Sequence, residues 1–374
     1  MSQTFDIIIV GAGIVGAACA AECARNRLKV LVLDRGPIGG GTTGAGMGHI
    51  VVMDDSEAQF ALTAYSRTLW RERVAELPGD VEYESCGTLW LAADDEEMAE
   101  VRRKEKLYGE RGVRVEVLDE GGVAQAEPNL RPGMAGGLLV QDDGVLYPPC
   151  AARFLLEEAM RHGAELKTGV TVRELLPDGG VALADGSRIF AGLSVNATGP
   201  WSPELSESLP VRKRKGHLVI TDRHTGFVRH QIVELGYLKS AHSHNTSSVA
   251  FNIQPRKTGQ VLIGSSRQFD AEDTSVEQPI LDRMLNRAFE YMPALGQLSA
   301  LRVWTGHRAA TPDKLPVIGP TAENGRIWLA TGHEGLGITT SLGTGRLLAD
   351  MLLNRASEIP VAPYSPARFA NGSN

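Results

Sequence analysis

Thr4-Phe-Asp-Ile-Ile-Ile-Val10, then Gly11-Ala-Gly-Ile-Val-Gly16, and further on Lys29-Val-Leu-Val-Leu33 closed by Asp34, is the stretch that decides the fold. The first run is short and rich in β-branched residues without polar alternation, which predicts a strand buried on both faces. Ala17 to Arg25 are small or helix-forming, and Lys29 to Leu33 reads as a second buried strand, so the whole is a βαβ unit. Glycines spaced G-x-G-x-x-G mean little alone. Between a strand and a helix, with an acid at the end of the next strand, they form a dinucleotide fingerprint. Gly11 permits the tight turn, Gly13 lets the backbone approach a pyrophosphate, and Gly16 lets the helix lie close to the sheet. The phosphates then face the positive helix end. A carboxylate at Asp34 accepts from ribose hydroxyls and repels a 2′-phosphate, which disfavours NADP.

The chain of 374 residues has room for two lobes, and 43% hydrophobic with 22% charged residues excludes a disordered or fibrous protein. A net charge of −7 opposes binding to nucleic acid or anionic membranes. Four cysteines without a C-x-x-C pair point to a reducing cytoplasm. The uncharged run from Ile7 to Ala21 is shorter than the ~20 residues of a membrane span, and the start MSQTFD lacks the basic residues of a secretion signal. No transmembrane segment is expected.

Outward from the fingerprint, Gly39 to Gly48 is a low-bulk loop fit for close approach, and helical spacing follows over 57–76. A strand or hairpin is expected over 81–93, a helix over 150–162, and strands over 170–175 and 189–197. A second β-rich excursion opens at Val211, with strands at 249–253 and 260–264 and a helix over 277–291. A strand over 326–330 and a helix over 337–353 close the pattern, and the tail 360–374 reads as loosely held. The fold class is α/β: a Rossmann-like lobe from 1–78, 145–205 and 305–374, and a β-rich substrate lobe from 79–144 and 206–304.

Five segments carry a narrower likeness: Thr42-Thr-Gly-Ala-Gly46, Asn196-Ala-Thr-Gly-Pro-Trp201, Trp304-Thr-Gly-His-Arg308, Thr311-Pro-Asp-Lys-Leu-Pro-Val-Ile-Gly319 and Thr331-Gly-His-Glu-Gly-Leu-Gly337. Together they resemble the glycine oxidase and D-amino-acid oxidase family of FAD enzymes, from about residue 5 to residue 353. Gly44 to Asp55 and Lys215 to Asp222 resemble the β-subunits of heteromeric amine dehydrogenases, D-hydroxyproline dehydrogenase first. The resemblance implies noncovalent FAD held by Gly11, Gly13, Gly16, Asp34, Arg35, Thr42, Thr43, Gly48, Val172, Gly199, Trp201 and Gly335-Leu336-Gly337-Ile338-Thr339. It also implies a small amino-acid substrate, and partner subunits that can carry a second flavin or redox centre. Gly335 to Gly337 precede a helix, so free amides and the positive helix end would meet the flavin N1/O2 edge.

For the substrate, the resemblance makes Arg308 the carboxylate anchor, the other reading being a surface arginine paired with Asp313. Tyr237 is either a supporting hydroxyl or a packed tyrosine. His49 and His333 either order the substrate amine or pack near the cofactor. His242 and His244 read as exposed loop histidines, and no metal set is recognised. Arg212-Lys-Arg-Lys215 lines a strand or forms a docking edge. Monomeric sarcosine oxidase places a lysine over its flavin in a strand that aligns with 260–264, where Val261 or Leu262 stands; slow reaction with oxygen is the expectation. A stand-alone oxidase, an electron-transferring subunit and a tRNA-modifying flavoprotein are the competing functions.

Gly306 stands where monomeric sarcosine oxidase has its flavin-linking cysteine, and Pro148 where heteromeric sarcosine oxidase has its linking histidine. Neither residue can form the bond. Acid precipitation is expected to release all flavin colour into the supernatant; colour retained in the pellet would refute noncovalent binding.

Overall fold

The computed structural model describes residues 5–236, 247–269 and 271–369. A six-stranded sheet runs in the order Val317–Pro320, Ile327–Thr331, Ala191–Asn196, Phe5–Val10, Val30–Asp34, Glu165–Thr168. Phe5–Val10 pairs in parallel with Ala191–Asn196 on one side and Val30–Asp34 on the other. Its isoleucines are buried, Ile7 and Ile9 in one apolar cluster and Ile8 in the cluster on the opposite face. That is what an unalternated apolar run requires.

The helix Ile14–Arg25 that leaves the glycine turn lies against the helices Gly337–Leu352 and Pro148–Arg161. Small side chains bring the backbones together: a β-carbon on Gly345 would stand 2.7 Å from the Ala18 carbonyl oxygen. Overfilling such a contact costs ~1–3 kcal/mol.

The second sheet has eight strands, in the order Ala300–Ala310, Arg212–Thr221, Val261–Phe269, Ser247–Pro255, Gln231–Glu234, Thr88–Ala92, Gly136–Val140, Val115–Asp119. One face packs Leu89, Ile232, Phe251, Ile253 and Ile263 against Leu281, Met284 and Ala288 of the helix Gln278–Tyr291. The other face looks onto the cavity described below. Because side chains alternate along a strand, burying Val219 and Ile232 on the helix side turns Arg214, Gly216, Leu218, Gln231 and Val233 toward the cavity.

Several elements differ from the sequence expectation. The helix after the glycine loop stops at Glu72 and a single 3₁₀ turn covers Val74–Glu76. Only Thr88–Ala92 of the region 81–93 is a strand, and the helix Asp95–Glu110 and the strands Val115–Asp119, Gly136–Val140 and Gln231–Glu234 had no counterpart in the sequence pattern. The helix is so charged that Val101 and Tyr108 are its only buried apolar side chains, too few to show a periodicity. The strand Ala300–Ala310 is paired along Arg212–Thr221 as far as Ala310, so the lobe division placed at 305 falls inside it. The tail is held as far as residue 369: Tyr364 is buried and its hydroxyl donates to the Ala58 carbonyl at 2.7 Å, while Arg368 pairs with Asp313 at 2.6 Å.

Candidate active site

A cavity of about 570 Å³ extends from the carboxyl ends of Phe5–Val10 and Val30–Asp34 to the inner face of the eight-stranded sheet. At its first end the glycines are dictated by contact. Gly11 has φ +117°, and a β-carbon on Gly16 would fall 1.9 Å from the Gly11 carbonyl oxygen. Gly13 begins the helix with no side-chain cap, and the Ile14 amide donates to Thr43 Oγ1 at 3.0 Å. Asp34 accepts the Ala12 amide at 2.6 Å on Oδ2 and the Gly36 amide at 2.7 Å on Oδ1, so it braces the glycine turn as well as lining the cavity. Each oxygen keeps a second lone pair. The Arg35 guanidinium lies 5.2 Å from the Trp201 ring centre, and Thr42, Gly48, Val172 and Gly199 line the same cavity. The Thr42 hydroxyl donates to the His307 carbonyl at 2.7 Å, tying this loop to the other sheet.

Gly335, Leu336, Gly337 and Ile338 line the cavity close to the first helix start, a β-carbon on Gly337 lying 3.7 Å from Val15 Cγ2, and the helix Gly337–Leu352 starts here with no side-chain cap. The preceding Glu334 donates its amide to the Ala309 carbonyl at 2.9 Å, which docks this turn on the eight-stranded sheet. Thr339 does not line the cavity. Its hydroxyl donates to the His49 carbonyl at 2.8 Å and accepts the Val51 amide at 3.3 Å. His49 and His333 do line it. Burial, and then the nearby Arg308 charge, pull the His49 imidazole down to about 4, and burial alone pulls His333 down to about 3. Both rings are therefore neutral at physiological pH. His333 Nε2 shares a hydrogen bond with Thr344 Oγ1 at 2.9 Å, whereas His49 Nε2 is buried with no partner among the described residues.

Arg308 is half-buried on the cavity wall rather than at the surface, and Asp313, which pairs with Arg368, is not its partner. Gly216 makes the space, since a β-carbon there would lie 2.4 Å from Arg308 Nη1. That nitrogen donates to the Ser266 carbonyl at 3.0 Å. Burial lowers the Arg308 guanidinium to about 10, still charged at neutral pH. Among the described residues no carboxylate pairs with it.

The basic run does not form one edge. Alternation along Arg212–Thr221 sends Arg214 to the cavity, where it pairs with Glu334. Lys213 pairs with Glu272 at 2.5 Å, and the buried Lys215 sits 3.0 Å from both Asp273 and Glu277. Val261 and Leu262 are also misplaced by sequence. Val261 joins the core on the helix side, and Leu262 is covered by Met47 and Leu218. The pairing register shifts on both sides of the strand Val261–Phe269, and beyond the shift Ser265 and Arg267 face the cavity. Neither Val261 nor Leu262 lines the cavity, where Met47, Leu218, Ser265 and Arg267 stand instead. Tyr237, His242 and His244 lie outside the described residues. Arg214, Arg267, Gly216 and Glu334 were missed; the alternation Arg214-x-Gly216-x-Leu218 was the available signal for the first and third.

Two helix starts, the first with one amide taken by the Thr43 hydroxyl, meet a glycine turn and a guanidinium without a carboxylate partner among the described residues around one cavity, the arrangement of a dinucleotide-dependent oxidoreductase. The chain belongs to the family described as DAO, FAD dependent oxidoreductase, whose model matches residues 6–351. Hydrogen cyanide synthase subunit HcnC of Pseudomonas aeruginosa is 29% identical over 99% of this chain and 97% of its own. Glycine oxidase of Geobacillus kaustophilus is 29% identical over 98% of each chain. The crystal structure of L-proline dehydrogenase from P. horikoshii superposes with a TM-score of 0.90 at 25% identity, covering 100% of this chain and 99% of that one.

The residues present fit FAD. The cavity volume lies within the ~300–1,000 Å³ of cofactor sites, the glycine turn leaves no room for side chains, and both helix starts offer amides where negative charge is held. In the described residues no helix is long and apolar enough to cross a membrane, and no cluster suits a metal ion.

Arg308→Ala is expected to weaken binding of a carboxylate ligand by about 2–5 kcal/mol, the cost of stripping a desolvated charge of its partner, while FAD stays bound. Lysine should restore part of this, lacking the planar fork. Titration of flavin absorbance with the ligand checks it; an unchanged affinity would show that another residue holds the carboxylate.

Proposed function

We propose that this protein oxidises the Cα–N bond of a secondary or D-amino acid, with Arg308 holding the α-carboxylate. One observation carries the reading: a guanidinium on the cavity wall, beside the Gly335–Gly337 turn, with no carboxylate partner among the described residues. FAD, when bound, would supply the hydride acceptor for the Cα–H of the neutral amine, and the iminium left behind would give its N–H proton to solvent to become the imine. The chain's contribution is placement. Residues 1–78, 145–205 and 305–374 hold the cofactor, through Gly11, Gly13, Gly16, Asp34, Arg35, Thr42, Thr43, Gly48, Val172, Gly199, Trp201 and the turn 335–338. Residues 79–144 and 206–304 supply the rest of the wall around substrate, which Arg308 joins from the strand Ala300–Ala310 across the boundary at 305. Anchoring the carboxylate fixes the Cα–H relative to the cofactor, which is where orientation lowers the barrier. His49 and His333 stay neutral and shape the amine's surroundings.

The amino-acid class is supported by the names glycine oxidase and L-proline dehydrogenase among the similar proteins. Cis-4-hydroxy-D-proline, oxidised to the pyrroline carboxylate, is the member favoured by the sequence resemblance. A role as the catalytic β-subunit of a cytoplasmic heteromeric dehydrogenase is supported by the subunit designation of HcnC. A stand-alone oxidase that yields hydrogen peroxide is the second reading, and Arg267 favours it, because a cation facing the cavity stabilises superoxide.

A screen of D- and N-alkyl amino acids for anaerobic flavin bleaching tests the reaction, and no bleaching by any of them would overturn it. Stopped-flow reoxidation of the reduced enzyme by air and by a quinone separates the two readings: rapid reaction with oxygen and stoichiometric peroxide makes it an oxidase. The pH profile gives a further expectation. With both histidines neutral down to about 4 and about 3, kcat/KM should show no histidine step between pH 5.5 and 8, a window set by the ordinary imidazole value of ~6.5. It should rise toward the pKa of the substrate amine and shift with that amine. A fixed inflection near pH 6.5 for amines of different basicity would contradict this.

A further inference from the structure

Within the turn Gly332-His-Glu-Gly-Leu-Gly337 two residues have a left-handed backbone, Gly332 at φ +76° and Glu334 at φ +55°. Glycine takes that conformation freely, whereas a residue with a side chain is strained in it. The contacts of the Glu334 side chain must therefore offset the strain. They come down to one ion pair: its carboxylate meets Arg214, the two side chains being 10% and 9% exposed, and neither carboxylate oxygen takes a hydrogen bond from any other group among the described residues.

The pair stands next to the proposed substrate anchor. Arg214 is the direct cross-strand partner of Arg308, and both residues line the cavity. Opposite residues on neighbouring strands are ~5 Å apart at the Cα atoms. The same turn touches Arg308, since a β-carbon on Gly335 would lie 3.4 Å from Arg308 Nε. Two guanidinium groups are thus side by side where one carboxylate is to bind. Burial, and then the Arg308 charge, pull Arg214 down to about 9, still charged at neutral pH. Without Glu334 it would be an uncompensated buried cation, as open to an anionic ligand as Arg308 is. Elsewhere on this wall Lys314 takes Asp55 at 3.5 Å, and Arg267 has interactions of its own.

We propose that Glu334 is a positioning residue: its carboxylate occupies Arg214, so that the α-carboxylate of the substrate is left with Arg308 alone and takes a single register on the cavity wall. The proposal rests on the reading of Arg308 as the carboxylate anchor. It adds that the choice between two adjacent arginines is made by a glutamate on the opposite side of the cavity, in a backbone conformation that glycine would adopt more easily.

The test is a mutant cycle on the FAD-loaded protein, read as calorimetric binding of the inert ligand pyrrole-2-carboxylate. Arg308→Ala is expected to weaken binding about thirtyfold or more with Glu334 in place, but less than about threefold in a Glu334→Gly background, where Arg214 takes the carboxylate instead. Adding Arg214→Met to Glu334→Gly should bring the full dependence on Arg308 back. Glu334→Gln, uncharged but similar in bulk, repeats the comparison and must give the same outcome. Equal losses on Arg308→Ala in the two backgrounds would overturn the proposal. So would a Glu334→Gly protein that keeps FAD yet binds the ligand as poorly as Arg308→Ala, because Glu334 would then only support Arg308. With an amine that bleaches the flavin, reduction at saturation should slow about tenfold or more in Glu334→Gly, since a carboxylate moved one strand over misplaces its Cα–H; an unchanged rate also overturns the proposal. Failure of every amine to bleach the flavin overturns the oxidation itself, while the binding cycle still decides the part played by Glu334.

Discussion

The carbonyl oxygen of Gly11 lies where a β-carbon on residue 16 would have to be, and much of the molecule depends on that approach. It sets the helix Ile14–Arg25 directly on the sheet, so the helix can present its first amides to the cavity rather than to solvent. The same economy of bulk recurs at Gly345 against Ala18, which seats the helix Gly337–Leu352 beside the first. Two helices that start side by side at one cavity, from turns about 320 residues apart in the chain, form a field that favours negative charge there.

The sequence made the cofactor half legible because its constraints are local. A turn that tolerates only glycine leaves a fixed spacing, and a strand buried on both faces leaves an apolar run. The substrate half depends on register between strands distant in sequence, which leaves no such trace. Arg308 was found through a resemblance, whereas Arg214 and Arg267 look like ordinary strand or surface cations until the sheet is assembled. At Val261–Phe269 the irregular pairing passes the cavity face to Ser265 and Arg267, and no alternation count along the strand anticipates that. Of the two readings of Arg212 to Lys215, lining a strand is the one the structure bears out: the run opens the strand Arg212–Thr221, and the acids Glu272, Glu334, Asp273 and Glu277 take Lys213, Arg214 and Lys215 in separate pairs.

Charge and neutrality are divided across the cavity in a consistent way. Burial suppresses the two histidines, which lose their proton easily, and leaves Arg308 charged, because a guanidinium starts so far above neutrality. A charged guanidinium facing neutral imidazoles holds an anionic ligand without placing a group that titrates near neutrality beside it.

The order of strands in the six-stranded sheet bears on how the chain reaches this state. Phe5–Val10 has Val30–Asp34 available at once, but its other neighbour, Ala191–Asn196, is nearly two hundred residues away, and the strand beyond that, Ile327–Thr331, comes later still. A ribosome-bound chain therefore carries an unpaired, strongly apolar β edge until most of its length has emerged. Pairings of such long sequence separation form slowly, and exposed edges of this kind invite association with other chains in the interval. The burden on cellular folding assistance is set by this connectivity, before any cofactor has a place to bind.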